Sequence, residues 1–304
     1  MPYWKHYLLP ETVNDALQAL AEAPGPARLI AGGTDLLLDL QQGRHPPVDT
    51  LVDVTSIPEL KTLEACEKRL YIGAAVPASK IVSSSLVKEH ARALVEACDL
   101  IGGPQVRNTA TLGGNVVHAL PAADGTIALL ALDAQAEVAS VAGRSTVPVS
   151  DLFLGPGRSR LDPRGELLVG FHLPLRKESE ASVFKRVMRP QGVALPILNM
   201  AAWIRRGGDG ENPEEVADLR IAVGPAGPTP CRAIAAERIL RGKEFDRSLF
   251  LPALEALLAE SQFRTSPHRA SADYRRHLTG VLLESALMTA WERTYHGLSE
   301  EQQE

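Results

Sequence analysis

The chain has 304 residues, room for two or three domains at about 100–200 residues each. With 45% hydrophobic and 23% charged residues it is an ordinary globular composition, and a net charge of −5 without a block of like charges argues against nucleic acid as the main partner. No apolar run approaches the ~20 residues of a membrane helix, and the opening Met1-Pro2-Tyr3-Trp4-Lys5-His6 lacks an export-signal core, so a soluble, cytoplasmic chain is expected.

Thr12 to Ala23 is predicted to be a helix, because Val13, Ala16, Leu17 and Leu20 share one face and Thr12 with Asp15 resembles a capping box. Pro24-Gly25-Pro26 stops it. Arg28 to Ala31 reads as a strand that runs directly into Gly32-Gly33-Thr34-Asp35, and Leu51–Val54 and Leu70–Ala74 read as further strands. Leu86 to Ile101 reads as one helix with Leu94, Val95, Cys98 and Ile101 on a side, ended by Gly102-Gly103-Pro104. A glycine-rich loop follows over Thr109 to Asn115. Strands are expected at Ala136–Val141 and Glu166–Leu173. A charged stretch, Pro174 to Ser182, marks a domain boundary.

Beyond it come three strand candidates, Ser182–Met188, Ile197–Ile204 and Asp218–Val223, with a polar hairpin loop over Arg205 to Glu215. Helices are predicted at Arg232–Arg241, Arg247–Glu260 and Ser271–Tyr295, and Ser299–Glu304 reads as a frayed tail. Strands followed by helices point to α+β rather than a doubly wound sheet. The domains expected are 1–57 and 58–176, two subdomains of one unit, then 177–296 with a three-stranded sheet plus helices, and the tail 297–304.

Chemistry concentrates in two segments, Leu29-Ile30-Ala31-Gly32-Gly33-Thr34-Asp35 and Thr109-Ala110-Thr111-Leu112-Gly113-Gly114-Asn115, the second followed by Pro121-Ala122-Ala123-Asp124. Paired glycines let a backbone turn tightly and present N–H groups to an anion, and Thr34 or Thr111 adds a hydroxyl. Two such loops can hold a pyrophosphate without a lysine, with Asp35 or Asp124 accepting from sugar hydroxyls. From spacing alone, ordinary turns are the commoner explanation of the same residues. Neither segment is a GxGxxG or Walker sequence, and no nucleophile elbow, helical metal pair or acid–base dyad occurs. No catalytic or metal-ligating residue is therefore assigned. Cys66, Cys98 and Cys231 are too dispersed for an iron–sulfur or zinc site and read as small core residues.

On these two segments, together with Ile101-Gly102-Gly103-Pro104-Gln105-Val106-Arg107-Asn108 and Asp124, the chain resembles the medium, FAD-binding subunit of molybdenum hydroxylases, over nearly its whole length. That group includes carbon monoxide dehydrogenase, xanthine dehydrogenase and 4-hydroxybenzoyl-CoA reductase. The resemblance implies a two-subdomain, vanillyl-alcohol-oxidase-like (PCMH-type) FAD-binding fold followed by a smaller α+β C-terminal domain. It implies that Ala31 to Asp35 and Thr111 to Asn115, with Leu29, Ile30 and Ala110 beside them, wrap the FAD diphosphate. His118, Ala123 and Asp124 would follow the adenosine or ribitol part, Ile101 would cover the isoalloxazine ring, and Leu168 and Lys185 would lie near it. Ile101 and Leu168 fit core packing as well, Lys185 a solvated strand position, and Arg107 and Asn108 a loop brace.

The implied activity is electron relay by an oxidoreductase subunit. A large molybdenum-cofactor subunit and a small subunit with [2Fe–2S] clusters are the expected partners, in a dimer of heterotrimers. The alternative is a stand-alone FAD-dependent oxidase of the same fold, with a scaffold that has lost FAD as a third possibility. One departure stands out. Family members often carry an acidic residue soon after the lysine at 185, where this chain has Arg189-Pro190-Gln191-Gly192-Val193-Ala194-Leu195-Pro196, which weakens any expectation of NAD as acceptor.

Overall fold

The computed structural model describes residues 3–189, 195–207, 212–267 and 269–295. The opening segment alternates strand and helix: β1 (His6–Leu8), α1 (Val13–Glu22), β2 (Ala27–Ile30), α2 (Leu36–Gln41) and β3 (Thr50–Asp53). The three strands are parallel in the order β1-β3-β2, and each parallel step is made through a helical crossover. Thr12 caps α1 as the sequence predicts, its Oγ1 accepting from the amide of Asp15 at 3.1 Å. Val13, Ala16, Leu17 and Leu20 are buried against Val52 and, from the next unit, Leu167 and Val169. β1 was not expected: all three of its residues are exposed, so it carries no alternation to read. It is tied to β3 partly by the Tyr7 hydroxyl, which donates to Asp53 at 2.5 Å. Burial first, and then that bond, push the phenol up to about 12.

The middle unit runs β4 (Leu63–Cys66), β5 (Arg69–Gly73), α3 (Ala78–Ser83), α4 (Ser85–His90), α5 (Arg92–Asp99), α6 (Pro104–Arg107), α7 (Leu112–Val117), α8 (Asp124–Ala131), β6 (Gln135–Ser140), β7 (Gly143–Pro148), a small hairpin β8 (Phe153–Gly155) and β9 (Arg158–Ser159), and β10 (Glu166–Pro174). Its five-stranded antiparallel sheet has the order β4-β5-β10-β6-β7. One face, with Leu70, Ile72, Val138 and Phe171, is buried under the helices. The predicted single helix over 86–101 is two helices, broken at Ala91, which has φ −143° and ψ 54°. The break is compensated from outside, because the amide of Ala93 is accepted at 3.1 Å by the hydroxyl of Ser182 in a distant strand. Cys98 is buried, as expected of a core thiol, but Cys66 is exposed on an edge strand and Cys231 half-buried.

The last unit is β11 (Glu180–Val187), β12 (Leu198–Arg206), β13 (Val216–Gly224), β14 (Cys231–Arg232), α9 (Ile234–Leu240), α10 (Phe250–Glu260) and α11 (Ala272–Arg293). The sheet has four antiparallel strands rather than three, because the two-residue β14 pairs with β13. The predicted hairpin loop falls partly on residues 208–211, and the departure segment largely on 190–194, both outside the described residues, as is the tail. Period-two alternation divides β12 between two cores. Leu198, Met200, Ala202 and Ile204 pack with α9, α10 and α11, while Ala201 and Trp203 pack against the helices of the middle unit. Glu96 of α5 closes the seam, accepting from the amide of Phe184 at 2.8 Å and from Arg293 at 2.7 Å.

Candidate functional site

Strand β2 ends at Ile30, and the chain turns at once through Gly32-Gly33 into α2. Gly33 has φ +67°, a conformation that disfavours any side chain. Gly32 is constrained by proximity: a Cβ there would lie 2.0 Å from the carbonyl oxygen of Thr109. The two glycine segments predicted to converge are thus in backbone contact. His118, at the C-cap of α7, faces Asp35 at 3.8 Å and links the loops a second time.

The loops are not equivalent. Among the described residues, no acceptor takes the amides of Gly32, Gly33, Thr34 or Asp35. The segment Thr109 to Asn115 is only partly a loop, since α7 begins at Leu112 and Thr111 is its N-cap. The amide of Gly113 donates to Ala74 O at 2.8 Å and that of Gly114 to Thr111 Oγ1 at 3.1 Å. The first loop therefore supplies donors, and the second supplies a wall of bare backbone. A Cβ on Gly114 would meet only Thr111 Oγ1, at 3.1 Å. Asn115 extends the wall, its Oδ1 accepting from the amide of Thr126 at 3.1 Å at the start of α8.

The remaining expected residues fall at differing places. Leu29, Ala31, Ala110, Thr34 and Ala123 are half-buried around the loops, and Ile30 is buried beside α2. Leu168 is buried in the core behind α7, and Ile101 packs at the edge of the same core. The carbonyls of Ile101 and Gly102 accept from Arg107 at 3.3 and 3.0 Å, so Arg107 does brace this turn. Asp124 is buried, and both its oxygens are occupied: Arg186 Nη1 at 2.5 Å and Asn199 Nδ2 at 2.6 Å. Burial raises its carboxyl to about 6, despite the lowering influence of Arg186 and Asn199.

Lys185 is not brought to the loops. Alternation along β11 places it with Val183 opposite Met200, on the side facing α9 to α11. Its neighbour Arg186, opposite Asn199, is the cation that reaches the loop region. Arg186 and Asn199 were missed by the sequence reading. The available signal was the parity of β11, counted from the apolar Phe184 that faces the middle unit.

A separate cleft of about 1040 Å³ lies on the outward face of the middle sheet, lined by Tyr71, Glu137, Arg144 and His172 among others. Some of its charges pair: His172 lies 2.9 Å from Glu137, and Arg144 bridges Glu137 and Glu59. Although burial opposes it, bonding to His172 and Arg144 holds the Glu137 carboxyl below its ordinary range.

Comparison with known proteins identifies the family. Residues 3–176 match the family described as the FAD binding domain in molybdopterin dehydrogenase, and residues 182–290 match the CO dehydrogenase flavoprotein C-terminal domain. The chain is 33% identical over 282 residues to the xanthine dehydrogenase FAD-binding subunit of Escherichia coli O157:H7, covering 92% of this chain and 93% of that one. It is 29% identical over 287 residues to the carbon monoxide dehydrogenase medium chain of Hydrogenophaga pseudoflava, covering 94% and 97%. Among solved structures, a carbon monoxide dehydrogenase from Hydrogenophaga pseudoflava superposes with a TM-score of 0.89 at 30% identity, over 96% of this chain and 99% of that one.

Proposed function

The chain belongs to the family of FAD-binding domains of molybdopterin dehydrogenases, and from that premise we propose that it is the electron-relay subunit of a molybdenum hydroxylase complex, with FAD held at the paired glycine loops. The observation that carries this reading is the contact of Gly32 with Thr109, which makes one cradle of two segments distant in sequence.

The residues fit the cofactor. The acceptor-free amides of Gly32 to Asp35 are neutral donors of the kind a diphosphate takes, and the bare backbone at Gly114 lets it approach closely. Leu29 and Ile30 deliver β2 to this loop. Ala31 to Asp35 and Ala110 to Asn115 would hold the diphosphate from two sides. His118 and Ala123 would line the adenosine or ribityl part. Asp124, with both oxygens occupied, braces that wall from behind. Ile101 would offer apolar contact to the ring from the core edge, with Leu168 in the core behind α7.

FAD supplies exchange of electrons singly or in pairs, as a relay between one-electron iron–sulfur clusters and an external acceptor requires. The protein's part is to position the cofactor through main-chain amides. Molybdenum and [2Fe–2S] chemistry is assigned to partner subunits, a reading supported by relatives that are named as FAD-binding or medium subunits. A large and a small partner, a dimer of heterotrimers and a cytoplasmic location complete the proposal. No helix among the described residues is long and apolar enough to cross a membrane.

Purification from the native host tests this. The chain should co-elute with molybdenum and iron, carrying flavin in equal proportion. A flavin-free chain, or a flavoprotein that purifies alone and turns over substrate without metal, overturns the assignment.

A further inference from the structure

The turn Pro121–Asp124 is gripped from the C-terminal sheet at three points. Asn199 Nδ2 donates to Ala122 O at 3.1 Å and to Asp124 Oδ1 at 2.6 Å. Arg186 pairs with Asp124 Oδ2 at 2.5 Å, with side chains only 5% and 7% exposed. Gly224 comes so close that a Cβ on it would lie 2.3 Å from Pro121 O. From this turn a continuous set of contacts leads to the cradle. Asp124 opens α8, whose Thr126 amide is held by Asn115 Oδ1, and Asn115 follows Gly113-Gly114 on α7. The network is unfinished within the protein: Arg186 Nε and Asn199 Oδ1 are buried without a hydrogen-bond partner among the described residues.

We propose that Arg186 is a positioning residue for the cofactor site. It acts through Asp124 to set the Pro121–Asp124 turn, and through Asn115 the glycine wall, so that docking of the C-terminal sheet and filling of the cradle are coupled. This rests on the reading that the cradle holds FAD. Coupling of this kind is reciprocal: what seats the sheet tightens the cofactor, and the cofactor tightens the sheet.

The test uses the full chain, stripped of flavin and titrated with FAD while flavin fluorescence and the thermal midpoint are followed. Arg186→Met should weaken FAD binding about tenfold or more, within the usual span of such couplings. Arg186→Lys should recover most of the loss, because it restores a charge to Asp124. Glu237→Gln is the control. It disturbs the buried Glu237–Arg232 pair on the other core and should lower the thermal midpoint without changing FAD affinity. Should Arg186→Met fail to fold, Asp124→Asn serves in its place, and its midpoint should rise less with FAD than the wild type's does. Equal FAD affinity in wild type and Arg186→Met, or an equal loss in Glu237→Gln, overturns the proposal while leaving the cofactor reading intact. A wild-type chain that takes up no FAD overturns both.

Discussion

The carbonyl oxygen of Thr109 occupies the place where a side chain on Gly32 would begin, 2.0 Å from a Cβ built there. Backbone cannot yield as a flexible side chain does, so Gly32→Ala must push the loops apart. The expected cost is about 1–3 kcal/mol of stability, typical of overpacking, together with loss of flavin. Urea melts and the visible flavin spectrum of the purified variant check both.

Gly114 is a different case. Its Cβ position has one neighbour, Thr111 Oγ1 at 3.1 Å, so the fold should tolerate a side chain there. Gly114→Asp is expected to melt close to wild type yet carry no flavin, since its carboxylate would face the diphosphate. A wild-type flavin band in the pure variant would count against the cradle.

The Asp124 carboxyl, raised to about 6 in the folded chain by burial, titrates near its ordinary value when unfolded. Between about pH 4 and 6 the folded state therefore keeps a proton that the unfolded state has released, and stability falls as pH rises through that window. The whole effect is about 3 kcal/mol at most. Denaturant melts from pH 4 to 7 should show a steeper decline for wild type than for Asp124→Asn, which cannot titrate there. Parallel profiles would refute the raised value.

Glu96 receives both the Phe184 amide and the Arg293 guanidinium at the seam between α5 and the C-terminal sheet. Removing it in Glu96→Ala leaves the strand amide without its acceptor and takes one of several partners from Arg293, whose bond to Ser182 O at 3.1 Å remains. The expected loss is about 2–3 kcal/mol, the range for hydrogen bonds to charged groups. Hydrogen exchange at the Phe184 amide should accelerate in the variant, and unchanged protection would rule this role out.

What the sequence disclosed depended on how local the determinant was. Helix α1 was legible because its apolar spacing and its Thr12 cap lie within one stretch. The break at Ala91 was not, because the Ser182 hydroxyl that takes the freed amide lies 89 residues from Ala93. The two glycine loops were visible as composition, yet which amides remained without acceptors depended on Ala74 and on the Thr111 side chain. Lys185 and Arg186 differ by one position, and on a strand one position reverses the face. Which cation reaches Asp124 was therefore a matter of parity, which a short apolar run with a charged end does not announce.

The division of β12 between two cores bears on how the chain can be dissected. Its Ala201 and Trp203, with Phe184 of β11, lie in the same apolar cluster as the middle unit's helices. The boundary between the two family matches, from residue 176 to 182, is thus not a place to cut. A fragment stopping there would emerge with a raw oily flank along α5 and α8, and should be recovered from cells as inclusion bodies rather than as a small working flavoprotein.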